Sequence, residues 1–103
     1  MQLVRISDHQ VYSDDRFVKK DMINEEKALM FMLNLKPGQE IPPHTHGERG
    51  LIIYVVSGSG TLSVSNKTEK IAVGDAIYCS GNELFSMKNT SEGNLSCFAS
   101  LTK

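Results

Sequence analysis

A chain of 103 residues has room for one domain and one apolar core, and a second core would not fit. With 40% hydrophobic and 22% charged residues it falls in the globular range and outside the disordered one. Its formal net charge of −1, eleven basic residues spread among twelve acidic ones, excludes the clustered cationic surface that nucleic acid phosphates demand.

The first sixteen residues, "MQLVRISDHQVYSDDR", carry charge in every turn and no continuous apolar run. They predict neither a signal peptide nor a membrane-spanning helix, and hence a cytoplasmic protein; residues 1–15 read as an extended arm or a short strand. Lys19-Lys20 reads as a solvated edge. From there on no window shows helical periodicity, while short apolar runs separated by turn residues recur every eight to twelve positions, the pattern of an all-β sandwich or barrel of roughly eight to ten strands.

Residues 27–35, "KALMFMLNL", predict a strand that is apolar on both faces, with Leu29, Phe31, Leu33 and Leu35 on one side and Ala28, Met30 and Met32 on the other. A second apolar face, with Met22 and Ile23 nearby, predicts a homodimer that covers it. Strands follow at 51–56 and 61–65, joined as a hairpin by "SGSG" (57–60), then a turn at Asn66-Lys67, a strand at 68–73, a turn at Gly74-Asp75, and strands at 76–79, 84–89 and 95–101. In a reducing compartment Cys79 and Cys97 read as buried thiols.

The stretch "PPHTHGERG" (42–50) holds two of the three histidines. On an extended strand residues two apart share a face, and the prolines enforce extension, so His44 and His46 present two imidazoles that can converge on one divalent metal ion. Glu48 and Glu40 share the parity of the pair and are the candidates for an extra ligand. Glu48 lies about 13 Å along the strand from His44, so it joins only if Gly47 bends the chain, and Glu40 lies beyond the prolines. The competing reading for both is a solvent-facing loop charge, and for His9 a surface residue.

Residues 37–60, "PGQEIPPHTHGERGLIIYVVSGSG", and 74–90, "GDAIYCSGNELFSMKNT", resemble the two motifs of the cupin superfamily. The resemblance implies a cupin-type antiparallel jelly-roll barrel. Gly38, His44, His46 and Gly58 match the first motif, and Gly74, Asp75 and Asn89 the second, with Ser80 where proline is usual. The family's metal-binding Glu falls at Leu51 and its third metal-binding His at Phe85, and neither hydrocarbon side chain can donate to a metal. No histidine follows residue 46, so no shift of register supplies one.

Two readings of the pocket follow. In the first, Leu51, Ile53, Val55, Phe85 and Met87, with Tyr78, line an apolar cup that binds a small molecule, with no organic cofactor and at most a weakly held divalent metal at His44 and His46; the same residues would equally fill an ordinary core. In the second, the resemblance implies a metal-dependent dioxygenase or isomerase in which a carboxylate or water completes the coordination sphere. A third class is a non-catalytic regulatory or structural dimer whose surface matters more than its cup.

Overall fold

The computed structural model describes residues 1–102. Apart from one 3₁₀ turn, Ile6–His9, its regular elements are nine strands. They are β1 (Val18–Asn24), β2 (Leu29–Leu35), β3 (Glu40–His44), β4 (Leu51–Ser57), β5 (Ser59–Val64), β6 (Lys67–Ala72), β7 (Ala76–Cys79), β8 (Phe85–Lys88) and β9 (Leu95–Leu101). All pairings are antiparallel, in a five-stranded sheet of order β1-β2-β9-β4-β7 and a four-stranded sheet of order β3-β8-β5-β6. This is the jelly-roll arrangement of two facing sheets.

Alternation along each strand builds the interior. Leu51, Ile53 and Val55 of β4 are buried while Ile52 and Tyr54 between them are exposed. They meet Phe31, Leu33 and Leu35 of β2 in the same sheet, and Ile41, Leu62, Ile71, Phe85 and Met87 from the other. Burying each of these side chains contributes about 1.5–3 kcal/mol, so the shared interior holds the two sheets together. Both cysteines are free and buried in it, and burial pushes the Cys97 thiol up to about 12.

Residues 57–60 do not make the hairpin that their composition predicts. β4 and β5 lie in different sheets, and the chain crosses between them at Gly58, whose φ of 83° suits glycine. A Cβ there would stand 2.1 Å from the Asn94 carbonyl oxygen, so a neighbouring loop occupies the space a side chain needs. The crossing from β6 to β7 uses Gly74, at φ 94°, and Asp75, whose Oδ2 accepts from the Ala72 N–H at 2.8 Å. The β5–β6 turn falls at Ser65-Asn66, one residue before the expected Asn66-Lys67, because Ser65 takes the left-handed φ of 55° and frees Lys67 to pair with Val64.

β2 is buried on both faces, yet the second cover comes from the chain itself. Met32 and Asn34 are fully buried on the outer side. The N-terminal arm reaches Asn34, whose Nδ2 donates to the His9 carbonyl at 2.8 Å, while its Oδ1 accepts from Ser96 Oγ of β9 at 2.6 Å. Gln39 Nε2 donates to the Ser13 carbonyl, and Lys36 pairs with Asp14, whose carboxyl that lysine holds below its ordinary value. Met32 and Asn34 are thus covered within the single chain, without a second copy on these two side chains. His9 itself is partly exposed, its Nδ1 bonded to the Arg5 carbonyl.

Replacing Asn34 leaves the His9 carbonyl and the Ser96 hydroxyl without partners in a buried place. Asn34→Ala is expected to cost about 2–3 kcal/mol in urea unfolding and to free the arm for limited proteolysis before the barrel is cut. A loss under about 0.5 kcal/mol would show that the arm is not latched there.

Candidate functional site

β3 delivers the first imidazole through a bulge. Ile41 pairs with Met87 and His44 with Phe85, so two residues of β3 lie between these pairs where β8 has one, and the extra residue falls at Pro42-Pro43. Proline has no N–H to give the ladder, which makes this pair a natural place for the irregularity. The shift in parity carries His44 to the inner side that Ile41 occupies. It also separates Glu40 from the pair: Glu40 is exposed, one residue before inward-facing Ile41.

His46 lies just past the strand and is held by its backbone. Its N–H donates to the Gly81 carbonyl at 2.7 Å, and its own carbonyl accepts from the Arg49 N–H at 3.2 Å. The loop that carries Gly81 is itself built, with Glu83 Oε1 accepting from the Ser80 N–H at 2.8 Å and from Ser80 Oγ at 3.0 Å. A Cβ on Gly81 would lie 2.2 Å from the Gly47 carbonyl oxygen, so only glycine lets the two loops approach this closely. The sharp bend at Gly47, φ 65°, sends Glu48 into solvent, away from the histidines.

The rings of His44 and His46 stand 4.6 Å apart, centroid to centroid, and Phe85 completes a triangle at 5.8 Å from His44 and 6.0 Å from His46. His44 Nδ1 lies 2.8 Å from the Pro42 carbonyl, which can only accept, so Nδ1 is the donor of this bond. His46 Nδ1 is buried and has no hydrogen-bond partner, alone in this among the buried side-chain polar atoms of the described residues. Both histidines line a cavity of about 150 Å³ together with Leu51 and Phe85. Its remaining wall comes from Phe17, Lys19, Phe31, Leu33, Ile41 and Leu101.

Of the six residues expected in the pocket, Leu51 and Phe85 meet the histidines at this cavity. Ile53, Val55 and Met87 are buried deeper in the core and do not line it. Tyr78 is a correction: it is 65% exposed, pairing with Ile52 on the outer face of the five-stranded sheet. Its parity follows Ile52, the residue between two inward-facing ones. Lys19 of β1, and Phe17 just before that strand, complete the cavity without having been expected there. The sequence signal for them is weak: an aromatic two residues from a lysine in an otherwise charged run.

Among the described residues no three of His, Cys, Asp and Glu converge as a metal site. Neither Glu40 nor Glu48 joins the imidazoles, and the two further family positions are hydrocarbon. The donor set does not fit a complete metal centre.

Burial first, and the neighbouring His44 second, push the His46 imidazole below its ordinary value of 6.5. The unfolded chain therefore binds more protons in the window beneath 6.5, so stability rises with pH there and is lost as pH falls through it. In urea unfolding at pH 7 and pH 5, His46→Gln is expected to flatten that decline relative to the parent protein. Equal declines in both would mean that His46 titrates as it does when unfolded.

No curated protein matches the chain. Solved structures match its fold closely. One is TT1209 from Thermus thermophilus, at a TM-score of 0.94 and 19% identity, covering 99% of this chain and 97% of that one. An RmlC-like cupin protein from Desulfovibrio desulfuricans gives 0.88 and 19%, covering 99% and 96%. A putative sugar phosphate isomerase from Acidithiobacillus ferrooxidans gives 0.74 and 25%, covering 84% of this chain and 59% of that one. The family model of the cupin domain matches residues 31–100, the stretch from β2 to β9 that holds every strand but β1, and the chain belongs to that family.

Proposed function

We propose that this cupin binds a small molecule in its cup and works without a complete metal centre. The observation that supports it is a cavity walled largely by hydrocarbon, with the two imidazoles of His44 and His46 at its edge. A cavity of about 150 Å³ is the size that accepts a benzene-sized body. A site that is mostly apolar with a few convergent polar groups binds by shape and is oriented by those groups.

A divalent ion at His44 and His46 alone has two protein donors and must draw the rest of its coordination from water, so it is held weakly. The competing reading, a metal-dependent enzyme, draws on the similarity to the putative sugar phosphate isomerase. It requires donors that Leu51 and Phe85 do not provide. The reading as a dimeric module gains nothing from Met32 and Asn34 of β2, which are buried within the single chain.

The ring triangle offers a direct test. Phe85→His places a third imidazole where the aromatic ring stands now, and calorimetric titration with Zn²⁺ or Ni²⁺ is expected to show affinity at least about tenfold above the parent protein, or ~1.4 kcal/mol. In the parent protein, binding should be weak and abolished by His44→Ala. A tightly held, stoichiometric ion in the purified parent protein would overturn the proposal.

A further inference from the structure

Every polar side chain that lines the cup is a nitrogen base: His44, His46 and Lys19. No carboxylate and no hydroxyl is among the lining residues, and the one carboxylate beside the wall, Asp21, is already paired with Lys19. Lys19 stands on β1 opposite Leu33, with its ammonium 4.5 Å from the centroid of the Phe31 ring. Asp21, on the same strand, accepts from it at 3.0 Å. An ammonium has three N–H donors, and this one carboxylate oxygen engages one of them.

We propose that the ligand of the cup is a small monocarboxylate with a compact aryl or branched-alkyl body. This rests on the reading of the cup as a small-molecule site. The body fills the space against Phe31, Leu51 and Phe85, and the carboxylate is directed to Lys19 at the β1 wall, where a charge-assisted bond is stronger than one to a neutral acceptor. A neutral polar ligand forgoes that bond. A dianion such as a phosphate ester brings a second charge that the hydrocarbon wall leaves uncompensated, and an amine meets Lys19 with like charge. The size of the cavity sets the upper limit on the body at about one six-membered ring.

Benzoate, benzamide, benzylamine and acetate separate charge from shape. Titrated into ¹⁵N-labelled protein at constant ionic strength, benzoate is expected to shift amide resonances of β1, β3, β4 and β8 and to bind about tenfold more tightly than benzamide. Benzylamine and acetate should produce little change. Lys19→Met, at a half-exposed position, should bring benzoate and benzamide to within about twofold of each other. Equal affinity of the two in the parent protein, or a preference that survives in Lys19→Met, overturns the carboxylate assignment, while shifts confined to the cup keep the small-molecule reading. If none of the four probes shifts a cup resonance, both readings fail together.

Discussion

The two sheets close on one buried amide. Asn89, at the end of β8, donates from Nδ2 to the Leu35 carbonyl at 2.9 Å and to the Gly93 carbonyl at 2.8 Å, and its Oδ1 accepts from the N–H and Oγ of Ser91. All four of its hydrogen-bonding positions are used. Leu35 ends β2 in the five-stranded sheet and Asn89 leaves the four-stranded one, so this side chain ties the sheets where the chain passes between them. Its backbone adds two more bonds, accepting from Gly38 N–H and donating to the Gln39 carbonyl. The turn at Gly38 leads directly into β3, so the strand that carries His44 starts from this joint.

From that joint the geometry of the cup follows in order. β3 sets out with Ile41 facing inward, the proline pair shifts its register against β8, and His44 arrives on the inner side opposite Phe85. Gly81 then draws the His46 backbone against the neighbouring loop. Two imidazoles come to face one aromatic ring and one leucine. Such a wall can orient a polar group and shelter an apolar body, whereas a complete coordination sphere needs more nitrogen or oxygen than it offers. The depressed proton affinity of His46 belongs to the same picture, because a neutral ring is what a largely apolar surrounding favours.

The N-terminal arm changes how β2 is understood. A strand apolar on both faces must be covered twice, and sequence alone cannot say whether a second copy or the chain's own terminus provides the cover. Here Met32 and Asn34 are buried within the single chain, and Asn34 finds its partners in the His9 carbonyl and Ser96. The large apolar side chains that stay exposed on this sheet lie farther across it, at Ile52, Tyr54 and Tyr78.

Strand periodicity, turn residues and the motif resemblance were enough to read the all-β class, most of the strands, and the inner faces of β2 and β4, because alternation of apolar and polar side chains is a local property with a period of two. The deficit at positions 51 and 85 was legible too, since a leucine and a phenylalanine are non-donors in any conformation. Sheet membership was not legible: "SGSG" suits a hairpin and a crossing equally, and only the long-range pairing of β4 with β9 and β5 with β8 decides between them. Parity across Pro42-Pro43 was broken by a bulge, which moved Glu40 off the inner face, and Tyr78 was assigned its side by the partner it faces, Ile52. Lys19 joined the site because β1 pairs beside β2 with Lys19 opposite Leu33, a register that the pattern within neither strand records.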